Sequence, residues 1–291
     1  MKDRVVAISI GDAVDREMLG FPEREIKRVL FALCTALIRD GFQIAYAGDL
    51  RPGGYTYDLF DFLTGTYAGQ GLSPFIYVVP GSVSDRLNFD DAVELVRRTR
   101  SVASISLIRS GQALSLTFVD EKLLLGPKGP RRVTIGSNAE WHEFLQRNPY
   151  SSVADALTDA RKSIASLAMG CVAMGGKMGW PDHPQDQFMG SMPGVVEEAL
   201  FYLAADKPFV PFAAFGGATR DIAIALGLLP SGEKTPRGRE NQGYLSAIKQ
   251  VEEHRRESVL DPTLKRAATQ ETAEELAQLA LEAIKSSTFQ L

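Results

Sequence analysis

The feature that most constrains this chain is an alternation. Short apolar runs that close at glycine are followed by stretches whose apolar residues recur at helical spacing. Val5 to Ile10 is such a run and ends at Gly11-Asp12, as a parallel strand buried on both faces does. Pro22 then opens a helix in which Ile26, Val29, Leu30, Leu33, Leu37 and Ile38 follow the i, i+3, i+4, i+7 rule, with Gly41 where a C-terminal glycine is wanted. Strands are predicted at Gln43 to Ala47, Phe75 to Val79, Val102 to Ile108, Cys171 to Met174 and Phe209 to Phe215. Helices are predicted at Tyr57 to Leu63, Asp90 to Arg98, Val153 to about Met169, Gly194 to Ala205 and Ala218 to Leu226. Such a rhythm implies right-handed crossovers and an α/β fold: a Rossmann-like parallel sheet with helices on both faces.

Two stretches depart from the rhythm. Between Arg109 and Asn148 the pattern is irregular, with Leu114 to Val119 and Lys122 to Leu125 reading as a hairpin before Pro127, Gly129 and Pro130. After Leu229 the chain reads as a helical appendage. It consists of a polar loop from Ser231 to Asn241, a charged helix from Tyr244 to Glu257, and a final helix. Thr272-Ala-Glu-Glu275 is a capping box for that last helix, whose Leu276, Leu279, Ala280, Ala283 and Ile284 share one apolar face. The expected organisation is one domain over residues 1–228, with residues 229–291 packed on it. The irregular stretch and the tail, neither needed to complete the sheet, are expected to form a lid or a homo-oligomer contact.

Charge narrows the partners. A net charge of −4 without a basic stripe argues against nucleic acid. No apolar run approaches the roughly 18 residues of a spanning helix, and the short start with its early Asp3 is read as a strand rather than a signal peptide. The two cysteines, Cys34 and Cys171, lie in apolar stretches, which favours a reducing compartment, the cytoplasm. His142, His183 and His254 form no ligand-spaced pair, so no metal is expected. No cofactor is expected either.

In open α/β sheets a ligand binds at the carboxyl ends of the strands, where helix N-termini offer free N–H groups and a positive dipole end. Glycines mark four such turns: Gly11-Asp12; Gly48-Asp49 with Arg51, Gly53 and Gly54; Gly175-Gly176-Lys177; and Gly216-Gly217. One glycine after a strand is ordinary turn chemistry, and the argument rests on the four together. The first turn continues Ala13-Val14-Asp15-Arg16 and carries no GxGxxG, which disfavours a dinucleotide dehydrogenase. Pro193 and Gly194 introduce a helix with Glu197 and Glu198 near its start. Acids there suit the dipole on purely structural grounds; alternatively, with Arg161 and Lys177, they hold ribose hydroxyls while N–H groups and cations hold phosphate.

Ile44 to Tyr55, Met174-Gly-Gly-Lys177, Pro193-Gly-Val-Val-Glu-Glu198 and Phe215-Gly-Gly217 together resemble the SLOG superfamily, which unites SMF/DprA proteins with LOG phosphoribohydrolases. The likeness spans roughly residues 4–228 and is nearest the LOG-like domains associated with TIR and sirtuin modules. It implies a Rossmann-like sheet and a ligand of the ADP-ribose or cyclic ADP-ribose type, sensed rather than turned over, with output through a separate effector protein or self-assembly. By position, Arg161 matches the family's arginine before the glycine turn, Gly175 and Gly176 its paired glycines, Lys177 its lysine and Glu198 its motif glutamate. Were the protein instead an N-glycoside or phosphoribosyl hydrolase, Glu198 and Arg161 would be its catalytic pair. The chain departs from the LOG enzymes by a longer loop before the glutamate and by Val195 at the threonine position, which removes a hydroxyl from the phosphate cradle.

Overall fold

A computed structural model of the chain describes residues 4–99, 101–126, 132–233, 241–256 and 261–288. It is an α/β protein with nine strands among these residues, mostly parallel and flanked by helices. The chain divides into two compact units, one comprising the described residues of 1–42 and 165–291, the other residues 43–164. The expected boundary at residue 228 falls inside the first of these.

The first unit opens with β1 (Val5–Gly11) and α1 (Glu23–Arg39). Every residue assigned to the apolar stripe of α1 is buried, and Pro22 sits at its N-cap. The helix ends where Gly41 takes φ 81°, a left-handed value that costs glycine nothing.

The second unit then runs through β2 (Gln43–Tyr46), α2 (Tyr55–Tyr67), β3 (Phe75–Val79), α3 (Gly81–Ser84), α4 (Phe89–Thr99) and β4 (Ala103–Arg109). β2, β3 and β4 pair in parallel. The expected hairpin is present as β5 (Gln112–Val119) and β6 (Lys122–Leu125), with β5 antiparallel to β4 and β6 antiparallel to β5. Its tip places Asp120 and Glu121 at φ 49° and 61°, the two positive values that a two-residue hairpin turn requires.

The stretch before Asn148 is more regular than expected. β7 (Val133–Ile135) extends the meander, and α5 (Asn138–Arg147) follows, its first turn capped by Ser137 Oγ accepting from the Glu140 N–H at 3.3 Å. A three-residue strand is too short to show periodicity, and its exposed Val133 hides which face is inward. Pro127, Gly129 and Pro130 lie outside the described residues. α6 (Val153–Leu167) leads back to the first unit.

There, β8 (Gly170–Gly175) pairs in parallel with β1 and with β9 (Phe209–Phe212), giving the order β1-β8-β9. All six residues of β8 are buried, as a central parallel strand requires. α7 (Gly194–Ala204) and α8 (Gly217–Ala225) follow β8 and β9. The strand expected to reach Phe215 stops at Phe212, and Ala213–Phe215 curl into a 3-10 turn that places Phe215 edge-on to Phe21 at 4.9 Å. α9 (Gln242–Glu252) ends earlier than the expected Glu257, which lies outside the described residues together with residues 234–240 of the polar loop.

Where one final helix was expected there are two, α10 (Asp261–Thr269) and α11 (Ala273–Thr288). α10 buries only two alanines near its end, Ala267 and Ala268, too small a signature to mark a helix in sequence. The start of α11 differs from a capping box. Glu275 accepts from Gln270 Nε2, and the Gln270 side-chain carbonyl accepts the N–H groups of Glu271 and Thr272 at 2.8 and 3.0 Å. The apolar face of α11 is buried and packs along α1, so it is already covered by its own chain. Among the described residues no helix is long and apolar enough to cross a membrane.

Candidate functional site

Within the first unit, the carboxyl ends of β1, β8 and β9 meet backbone to backbone. Gly11 pairs with Gly175 in register, and the Gly176 N–H donates to the Gly11 carbonyl at 3.0 Å. The Ala218 N–H, in the first turn of α8, donates to the Gly176 carbonyl at 3.0 Å. Such approach leaves no room for side chains. A Cβ on Gly175 would collide with the Gly11 carbonyl, and one on Gly217 would lie 2.5 Å from the Gly176 carbonyl oxygen. Both glycines also hold left-handed φ values, 64° and 65°. Three of the four glycine turns singled out in sequence are thus one structure.

The α8 turn is closed by a residue that sequence reasoning passed over. Asp15, fully buried in the loop after β1, accepts from the Gly217 N–H through Oδ1 at 2.8 Å. Asp12, which was singled out, is exposed. Nothing in the sequence pairs Asp15 with a turn 202 residues away.

α7 begins at Gly194 after Pro193, with the Glu197 N–H donating to the Pro193 carbonyl at 3.0 Å. Its Val195 packs on Gly176, where a Cβ would come within 2.6 Å of Val195 Cγ2. An apolar methyl is therefore what the start of α7 presents to Gly176. Glu198 is half-buried and accepts from the hydroxyl of Ser9, a buried residue of β1. Its negative charge adds to burial in pushing the thiol of Cys171 and the phenol of Tyr202 up. The carboxylate thus lies among residues of β1, β8 and α7. Glu197 is only 6% exposed. Early in a helix that packs on the strands, either of two neighbouring positions can turn inward, and the sequence does not say which.

The long loop between Lys177 and Pro193 is organised around Asp186. This buried carboxylate accepts from the Met178 N–H at 3.2 Å and the Trp180 N–H at 2.8 Å. Burial pushes its carboxyl up from the ordinary range, against the pull of those N–H groups. Lys177, expected to face phosphate, is half-buried and donates to the Gln187 carbonyl at 2.9 Å.

The remaining candidates belong to the second unit. Tyr77 donates to the Gly48 carbonyl at 2.8 Å, and Arg51 pairs with Asp49 at 2.8 Å. Gly53 has φ 74° in open space, and Gly54 is the N-cap of α2. Arg161 is half-buried on α6. Sequence reasoning also missed Arg109, a buried cation at the end of β4. It donates to the carbonyls of Asn148, Gly81 and Leu145 at 2.6, 3.1 and 2.7 Å and pairs with Asp85 at 2.5 Å.

Among the described residues no group of three or more His, Cys, Asp or Glu is placed to hold a metal. Both cysteines are free and buried, and burial pushes their thiols up, away from the reactive thiolate. Residues 1–283 match the family model described as SLOG cluster2. No curated protein matches the chain.

Proposed function

Because the chain belongs to the SLOG cluster2 family, we propose that it binds a nucleotide derived from NAD, of the ADP-ribose or cyclic ADP-ribose type, at the carboxyl ends of β1, β8 and β9. On this reading it is a sensor of the kind associated with TIR and sirtuin modules. It resides in the cytoplasm and passes its signal to a separate effector or through self-assembly. The observation that carries the reading is the backbone junction of Gly11, Gly175, Gly176 and Gly217, in which neighbouring carbonyls leave no room for a Cβ on Gly175 or Gly217. Main-chain recognition of phosphate uses glycine backbone at a helix N-terminus, and Gly217 stands at the start of α8 in this junction.

Binding without turnover is favoured by Val195 on Gly176 and by the engagement of Glu198 with Ser9. The first supplies no hydroxyl to a phosphate, and the second engages one oxygen of the carboxylate that a hydrolase would use as its catalytic group, the other oxygen being the one a ribose hydroxyl would meet. The test is a panel of AMP, NAD, ADP-ribose and cyclic ADP-ribose, read by melting temperature, calorimetry and chromatography. A ligand at a hundred times its Kd stabilises by about 2.7 kcal/mol. No shift with any of the four rejects the reading, and release of free base or ribose phosphate replaces it with a LOG-type hydrolase.

A further inference from the structure

The first turn of α8 carries a hydroxyl that the fold leaves unused. Thr219 is fully buried, and its Oγ1 has no hydrogen-bond partner among the described residues. Helical Cα–Cβ bonds tilt toward the N-terminus, so this side chain leans toward the Gly216-Gly217 turn. Leaving a buried hydroxyl unpaired is costly, and such groups call for an explanation.

The same turn already holds an anion. Asp15 Oδ1 accepts from the Gly217 N–H at 2.8 Å, and a Cβ on Gly216 would come within 2.6 Å of that oxygen. Gly216, at φ 78°, is what lets the carboxylate approach. Asp15 reaches the turn from the loop between β1 and α1, a segment folded largely on itself. Leu19 N–H donates to the Asp15 carbonyl at 3.1 Å, and Arg16 Nε to the Phe21 carbonyl at 3.1 Å.

We propose that the N-terminal turn of α8 is an anion-binding subsite, which takes a phosphate of the ligand on the Gly217 N–H and the Thr219 hydroxyl, and that Asp15 is its resident competitor. A phosphate and a carboxylate cannot share one helix end, because each needs the same N–H and the same dipole field. Ligand binding therefore displaces Asp15 and frees the loop after β1. This rests on the reading of the site as nucleotide-binding, and it supplies that reading with a moving part.

The test uses the full chain as wild type, Asp15→Asn, Thr219→Val and the double variant, titrated by calorimetry with inorganic phosphate and, separately, with ADP-ribose. Asparagine keeps the shape and the accepting oxygen but not the charge. Asp15→Asn is expected to bind both probes at least tenfold tighter than wild type, and adding Thr219→Val is expected to cancel that gain. Thr219→Val alone should weaken ADP-ribose binding severalfold with no fall in melting temperature, since valine keeps the volume and removes the buried hydroxyl. Saturating ADP-ribose should speed tryptic cleavage after Arg16. Phosphate affinity unchanged in both single variants overturns the subsite, whether or not ADP-ribose binds. If Asp15→Asn does not fold, Thr219→Val decides alone: unchanged ADP-ribose affinity rejects the proposal. Phosphate tightening in Asp15→Asn with no nucleotide bound by any form leaves the subsite standing and rejects the nucleotide reading instead.

Discussion

Ser9 on β1 donates its hydroxyl to the carboxylate of Glu198 on α7, across 189 residues of chain. This contact fixes the N-terminal half of α7 against the strand whose end carries Gly11, and it gives the two neighbouring glutamates different surroundings. Glu198→Gln keeps the shape and an accepting oxygen but loses the charge. It is expected to weaken ADP-ribose binding tenfold or more, about 1.4 kcal/mol. Glu197→Gln acts on a buried residue and is expected to lower stability by roughly 1–3 kcal/mol, with little direct effect on Kd. Paired Kd and melting measurements decide; loss of binding in Glu197→Gln alone would make Glu197 the residue the ligand reads.

Two glycine substitutions separate backbone conformation from crowding. Gly53 and Gly217 both have left-handed φ, 74° and 65°, but a Cβ meets nothing within 4 Å at Gly53 and the Gly176 carbonyl oxygen at 2.5 Å at Gly217. Gly53→Ala should therefore cost only the conformational strain, on the order of 1–2 kcal/mol. Gly217→Ala should cost more, about 3 kcal/mol or above, and disrupt the junction. Urea denaturation of the two variants measures the difference, and equal costs would mean that the junction is looser than its contacts indicate.

Acid should loosen α11 from α1. Hydrogen bonding from Lys285, on α11, holds the Asp40 carboxyl below its usual range, with Arg4 adding to the effect. A carboxylate whose folded pKa is depressed contributes stability that is present above its unfolded pKa and lost as pH falls through the folded one. Melting temperature should thus drop as pH is lowered below about 4, and Asp40→Asn should flatten that drop. An identical pH profile in the variant would show that other carboxylates carry it.

Removal of residues 273–291 tests whether the tail is structural. Leu276, Leu279 and Ile284 are each nearly or fully buried, and burying a side chain of this kind is worth about 1.5–3 kcal/mol. Their loss also bares the stripe of α1. The shortened chain is expected to lose cooperative unfolding by circular dichroism. A chain that stays folded and changes only its mass by light scattering would assign α11 to self-assembly instead.

Arg109→Lys is expected to destabilise by about 3 kcal/mol or more, although it conserves charge. One ammonium cannot reach the carbonyls of Asn148, Gly81 and Leu145 together with Asp85, a set that the planar guanidinium satisfies in several directions. Chemical denaturation beside wild type measures the cost.

By itself the sequence determined what is local. The stripe of α1, the run of β1, the hairpin of β5 and β6 and the glycines after β1, β8 and β9 are legible because apolar periodicity and positive-φ turns are written in adjacent residues. β7 and α10 were not legible, being too short or too weakly apolar to impose a period. Only the tertiary structure decided which side chains serve the junction. Asp15 reached Gly217, Ser9 reached Glu198 and Glu197 turned inward through contacts between segments far apart in the chain. Which of two neighbouring acids is buried, and which carboxylate meets which N–H, depends on strand register and helix rotation. Both are set by packing across the whole unit, because a shift of one residue turns a side chain by about 100° on a helix and to the opposite face of a strand.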